Sequence, residues 1–418
     1  MTSRHDLDDT GAELTTEPQD VAQVGETLSR RRRDAGLTQE ELAERSQVSV
    51  SAIRAIERGA RGGRIRTLQR LARALGVRTS DLMAPARGAA VQGEQPPDAL
   101  LPIRRALYPP LGLDLTTDQP ASPDSWDSTL RYAERLYAED KYDDVLGAVP
   151  VLLEEAQAIR TADPTNTLPA AQAYLYAAQV LTQVRQLDLA NHALGKAMEI
   201  AHASSDELLA AWTVTIQCWT LLLQRRFPEV EQLAIETAGG IEPRMSETSP
   251  LKVATWGWLM VRASAAAVRD ARVDDAEEYM RMARTAATGL NDASRSERWM
   301  PPPVAGFCAA TVGFKEVENA VLLGDHGKAL ELADRILPST IPTANNRHRH
   351  QLDIAASQLA LHKPSDAIEQ LLDVREQAPE WIRHQGYARG LIADLVEARR
   401  RAYADEVGLL ADHIGIRL

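Results

Sequence analysis

The chain has 418 residues, 44% hydrophobic and 25% charged, with a formal net charge of −12. That apolar fraction supplies a sizeable core and excludes global disorder, and aromatics at only 5% beside abundant Ala, Leu and Arg favour helices over a β-sandwich. No apolar run approaches the ~20 residues of a membrane span. The acidic N-terminus (Asp6, Asp8, Asp9, Glu13, Glu17) lacks a signal-peptide core. Cys218 and Cys308 offer neither a disulfide framework nor a metal knuckle. A cytoplasmic, all-α protein without cofactor is expected.

The charge is unevenly spread. Residues 21–90 hold fourteen Arg, no Lys and seven acids, a net +7, whereas residues 1–20 carry −5 and residues 91–418 carry −14. A small basic head on a large acidic body implies that one end alone meets a polyanion.

In chain order, residues 1–20 read as a disordered acidic tail and residues 21–83 as a compact helical module. Helix 1 is expected over Val21–Ala35, with Val24 and Leu28 on one face and Gly36 ending it. Thr38 and Glu41 form a capping box that opens helix 2, Gln39–Arg45. After the turn Ser46-Gln47-Val48, Ser49 caps helix 3, Val50–Arg58, which Gly59 stops. Thr67 begins helix 4, Gly76 follows it as the residue after the C-cap, and a short turn closes the module at Ser80–Met83. Ala43, Val48, Ile53, Ile56, Leu68, Leu71 and Leu75 supply its core.

Residues 84–125 contain eight prolines and read as a linker, in which Leu100–Leu107 is apolar enough to dock as a short helix. From 126 to 418 a helical stripe recurs. It starts at Val145, Ala190, Val230, Ala276, Ala329 and Ala367, spaced 45, 40, 46, 53 and 38 residues. Each stripe follows another amphipathic helix, so the unit is a helical hairpin whose small residue lets two helices approach. One hairpin cannot cover its own apolar face, so neighbours stack into a superhelix. The array resembles tetratricopeptide repeats with lengthened helices.

Two short helices joined by a three-to-four-residue turn make a helix-turn-helix, whose second helix enters the DNA major groove. The run Gly36-Leu37-Thr38-Gln39-Glu40-Glu41-Leu42-Ala43, then Val48-Ser49, Ile53 and Ile56-Glu57-Arg58-Gly59, resembles the Cro/C1-type (XRE) regulator family. The resemblance implies a five-helix, lambda-repressor-like DNA-binding domain joined to a tetratricopeptide-like superhelix. It also implies that Gln39 contacts a phosphate, that Arg32 pairs with Glu57, and that Val50, Ser51, Arg54 and Ala55 face base edges. Arg54 suits a bidentate contact to guanine and Val50 a thymine methyl. Ser49 joins the expected DNA-contacting set at the helix 3 cap. Arg58, Arg61, Arg64 and Arg66 are expected on backbone phosphates, where they set affinity and its salt dependence.

The combined architecture resembles the peptide-sensing (RRNPP-type) regulators of Gram-positive bacteria. By that resemblance the chain binds operator DNA as a homodimer, and its repeats sense a peptide or small-molecule effector, as in quorum sensing. Gln217, Trp256, Arg262, Asn319, Asn345 and Asn346 are the candidate groove residues, with Trp212, Trp219 and Trp258 as further aromatics. A DNA-tethered scaffold that recruits a folded partner is the competing reading. No catalytic constellation is visible: His348 and His350 in Arg347-His348-Arg349-His350 lie about 200° apart on a helix and are not expected to chelate one metal, so the run reads as a solvated helix start.

Overall fold

The computed structural model describes residues 18–59, 65–83, 97–109, 123–243, 249–290, 306–336, 343–398 and 403–416, and no strand occurs among them. The fold is all-α, an N-terminal helix-turn-helix module followed by a helical repeat-like region. Residues 1–17 of the expected tail lie outside the described residues.

The module comprises α1 (Pro18–Asp34), α2 (Gln39–Ser46), α3 (Val50–Glu57), α4 (Ile65–Leu75) and α5 (Thr79–Met83). α1 starts earlier than expected, since a proline at the first helical position loses no hydrogen bond. α4 starts at Ile65, whose side chain is buried in the module core. The capping box forms: Thr38 Oγ1 accepts from the Glu41 N–H at 3.1 Å, and Glu41 Oε2 accepts from the Thr38 N–H at 2.7 Å. Val24, Leu28, Leu42, Val48, Ile53, Ile56, Leu68 and Leu71 are buried together, while Ala43 and Leu75 are only partly covered. Gly25 marks the crossing of α1 and α3, where a Cβ would strike the Ile56 carbonyl.

Within residues 84–125, α6 (Pro97–Leu107) buries Leu100, Ile103 and Leu107. Pro102 sits inside this helix with its ring exposed. α6 packs on two helices of the array, and Tyr108 lies with its ring centroid 4.1 Å from that of His192. Residues 84–96 and 110–122 lie outside the described residues.

The array runs through α7 (Pro123–Ala138), α8 (Tyr142–Ala162), α9 (Leu168–Gln183), α10 (Leu187–Ala203), α11 (Glu207–Leu223), α12 (Phe227–Gly240), α13 (Pro250–Arg269), α14 (Val273–Thr288), α15 (Ala309–Leu323), α16 (His326–Ala333), α17 (Ala344–Ala360), α18 (Pro364–Gln377), α19 (Pro379–Arg383), α20 (Gly386–Glu397) and α21 (Ala404–His413). Consecutive helices pair as hairpins from α7/α8 to α17/α18, and the first helices of successive hairpins, α9, α11, α13, α15 and α17, pack side by side as an inner row.

The sequence stripe has a structural counterpart. Val145, Ala190, Val230, Ala276, Ala329 and Ala367 are each the fourth residue of the second helix of a hairpin, and none is more than 3% exposed. Two residues before each of those helices, the chain turns through the left-handed region at Asp140, Arg185, Arg225, Ala271, Gly324 and His362. One turn geometry therefore recurs in six hairpins, and five of its six left-handed residues carry a side chain.

The first and last hairpins meet. Asp140 Oδ2 lies 2.9 Å from His348 Nδ1, with both side chains at most 2% exposed, and the Asp143 N–H donates to Glu380 Oε2 at 3.0 Å. His350 stacks on Phe314 with centroids 4.4 Å apart. The expectation of a solvated start around His348 and His350 is thus overturned. An inner-row helix is flanked on both sides, so positions 200° apart are both buried.

Candidate nucleic-acid interface and central cavity

α3 divides cleanly into two faces. Ile53 and Ile56 point into the core, whereas Ser51, Arg54 and Arg58 are exposed and Val50 and Ala55 half-buried. Val50, Ser51, Arg54, Ala55 and Arg58 follow the i, i+1, i+4, i+5, i+8 spacing of one helical face. Ser49 Oγ accepts from the Ala52 N–H at 3.2 Å and lies 3.1 Å from Ser51 Oγ, so its first duty is capping α3.

A polar chain fixes this face to the module. Arg32 meets Glu57 through two hydrogen bonds of 2.6 and 3.0 Å, the pair implied by the family resemblance. Glu57 Oε2 also accepts from Gln39 Nε2 at 2.7 Å. Burial pushes the Glu57 carboxyl up, but the hydrogen bonds from Arg32 and Gln39 outweigh it and hold its pKa below the ordinary carboxylate value. Gln39 Oε1 then accepts from Arg54 Nε at 3.2 Å, and Arg54 Nη2 meets Glu40 Oε1 at 2.7 Å. The Arg54 and Glu40 side chains are 54% and 60% exposed, so this pair is weak and easily exchanged for a base edge or phosphate.

Arg66 is half-buried, and its guanidinium lies over Gly324, in the space a Cβ there would occupy. Beside it, Gln69 Nε2 donates to the Val268 carbonyl at 3.1 Å. α4 therefore docks the module on α13 and α15, with Arg66 in that seam. Arg61 and Arg64 lie outside the described residues.

The inner row surrounds a cavity of about 440 Å³. Of the residues expected in a groove, Trp219, Trp258, Arg262, Asn345 and Asn346 line it. Gln217 instead lines a separate hollow beside α10 and α12, and Asn319 spends its amide on Ser264 Oγ at 2.9 Å. Trp256 is half-buried and packs on the core away from the cavity wall. Sequence reasoning missed Arg269, Lys315, Glu318, Arg349, Trp381 and Tyr387, which also line it. Arg349 stands within the run Arg347–His350 that was read as solvated; inner-row periodicity was the signal that could have found it.

The cavity wall is strongly polar for an interior. Glu318 is gripped by Arg269 at 2.5 Å and Lys315 at 2.8 Å, with Arg349 at 3.8 Å. Burial opposes its ionisation, yet these three cations hold its pKa well below the ordinary value. Arg262 lies between two indoles, its guanidinium carbon 5.8 Å from the Trp219 centroid and 5.2 Å from that of Trp258. Its Nε donates to the Thr215 carbonyl at 3.2 Å, and no carboxylate among the described residues pairs with it. Burial pulls its pKa down to about 10, which leaves it charged at neutral pH. Glu134, across the wall on α7, is pushed up to about 7 by burial.

Neither cysteine is poised for chemistry: Cys218 and Cys308 are both buried, and burial raises the Cys218 thiol to about 12. Among the described residues no cluster of three His, Cys, Asp or Glu side chains is placed to hold a metal, and no helix is long and apolar enough to cross a membrane.

No curated protein and no solved structure matches the chain. The Helix-turn-helix family model matches residues 28–82, so the chain carries an XRE-type helix-turn-helix domain there, and that domain supports a DNA-binding transcriptional regulator.

Proposed function

We propose that the chain is a sequence-specific transcription regulator that binds operator DNA as a homodimer and senses an effector, a peptide or a small molecule, in the cavity of its tetratricopeptide-like array. α3 reads the major groove, with Ser51, Arg54, Val50 and Ala55 toward base edges and Arg58 on a phosphate. Gln39, held by Glu57 and Arg54, stands at the first turn of α2 for the phosphate contact the family resemblance implies. A single module of this size makes few contacts, whereas two copies in one dimer read half-sites about 34 Å apart or a multiple of that.

The observation that carries the sensing reading is shared scaffolding. α13 contributes Arg262 and Arg269 to the cavity, and its last turn accepts the Gln69 hydrogen bond. α15 contributes Lys315 and Glu318, and its C-terminal Gly324 lies under Arg66. A ligand that shifts either helix therefore changes the module's seat. It shifts DNA affinity to the extent that it prefers one arrangement of the module.

The test is analytical ultracentrifugation of the full chain with operator fragments selected from genomic DNA. Two chains per operator are expected, and one chain per site would overturn the dimer. Operator affinity is then compared with and without culture extract; unchanged affinity argues against sensing, and a folded protein that co-purifies in place of a small effector favours the scaffold.

A further inference from the structure

We propose that the central cavity takes a small organic anion with a planar aromatic body, its anionic group on Arg262 and its ring against the aromatic side chains of the wall. This rests on the reading of the cavity as the sensing site and narrows the effector to one chemical class.

Charge balance is the first argument. Among the described residues four basic side chains of the wall, those of Arg262, Arg269, Lys315 and Arg349, stand against the carboxylates of Glu134 and Glu318. Glu318 is already shared by three of the cations, and Arg262 has no acidic partner among the described residues. A guanidinium withdrawn from water is costly unless an anion meets it.

Hydrogen-bonding capacity gives the second. Four cavity-lining groups that can only donate, Trp258 Nε1, Trp381 Nε1, Arg349 Nε and Gln385 Nε2, are buried without a partner, as is the Tyr387 hydroxyl, which can donate or accept. A carboxylate, sulfonate or phosphate brings several acceptor oxygens and no donor. A peptide backbone brings one N–H for every carbonyl and so matches this excess of donors less closely.

Shape is the third. A volume of about 440 Å³ falls in the range of small-ligand sites, and Trp219, Trp258, Trp381 and Tyr387 line it with aromatic surface for a flat ring. The indoles of Trp219 and Trp258 keep Arg262 in place before any ligand arrives.

The test uses the full chain and two naphthalene probes of similar size, the anion 8-anilinonaphthalene-1-sulfonate and the neutral N-phenyl-1-naphthylamine, followed by fluorescence titration. One anion per chain is expected, bound at least about tenfold more tightly than the neutral probe. Equal affinity of the unmodified chain for both probes overturns the proposal without recourse to any variant. Arg262→Gln should lose about tenfold for the anion and little for the neutral probe, and Arg262→Lys should retain most of the anion affinity. Helix content by circular dichroism verifies that both variants fold, and unchanged anion affinity in a folded Arg262→Gln chain also overturns the assignment. Operator affinity separates this from the sensing reading. Arg262-dependent anion binding that leaves operator affinity untouched supports the ligand class and refutes sensing, whereas a peptide that moves operator affinity in a chain binding neither naphthalene refutes the ligand class and retains sensing.

Discussion

The module and the array are built from opposite materials. Residues 18–83 contain no aromatic side chain, whereas all seven tryptophans fall between Trp126 and Trp381. The module buries aliphatic side chains of its five helices and presents arginines such as Arg54 and Arg58 outward. The array turns arginines inward, where Arg262, Arg269 and Arg349 face one cavity. An exposed arginine such as Arg54 is free to exchange Glu40 for DNA at little cost, while a half-buried one such as Arg262 is held by its surroundings and rewards a specific anion. Contact with a polymer suits the first arrangement and recognition of a small molecule the second. The same asymmetry makes the two regions separable in experiment, because tryptophan fluorescence reports the array alone.

The largest expected effect breaks the array and spares the module. Asp140→Ala strands His348 in the buried pair that joins the first and last hairpins and should cost about 3 kcal/mol of array stability. Urea unfolding followed by tryptophan fluorescence measures this; Asp140→Asn, which tolerates the left-handed backbone and can still hydrogen-bond, should recover part of the loss. An unchanged midpoint in Asp140→Ala would show that the ring closure is incidental.

Next comes the exposed arginine. Arg54→Ala should lose about 1–3 kcal/mol of discrimination between operator and mutated sites, read by competition binding, with no change in tryptophan fluorescence. Retained operator preference would move base reading elsewhere on α3.

Gly324→Ala addresses the seam between the two regions. Five sister turns tolerate a side chain in the left-handed region, so the backbone change costs about 1–2 kcal/mol and the displaced Arg66 decides the rest. The expected result is faster proteolysis between module and array, together with altered operator affinity. Ala271→Gly, in a sister turn, serves as the contrast and should leave both unchanged.

Acid should loosen the module through Glu57. Its pKa is lowered in the fold, so its contribution is complete above the ordinary carboxylate value and is lost as pH falls through the lower, folded one. Circular dichroism from pH 6 to pH 3 should show module helices destabilised over that window, and Glu57→Gln should flatten the dependence. The smallest effect belongs to Arg58: Arg58→Ala should reduce the salt slope of DNA binding by about one. A slope unchanged within error would place Arg58 off the phosphates.

Much of the module was legible because its signals are local. The Thr38–Glu41 box, the Ser49 cap and the alternation of Ile53 and Ile56 with Arg54 and Arg58 all act within four residues. The repeat register was legible for a similar reason, since a small residue is needed wherever the second helix crosses the first. The seat of Arg66 over Gly324 was not legible, because basic charge near a recognition helix says nothing about which neighbour lies on its other side. Asn319 and Gln217 misled because a polar residue on an inner helix serves either the cavity or the next helix, and spacing does not distinguish the two.

By itself the sequence determined an all-α chain, the presence of a helix-turn-helix and the positions at which hairpins recur, because caps, turns and helical stripes are interactions between residues close along the chain. Only the tertiary structure decided that Asp140 would find His348, that Arg66 would settle over Gly324, and that Arg262 would lie between Trp219 and Trp258. Those partners come from separate helices, and their meeting depends on the accumulated rotation of every hairpin between them.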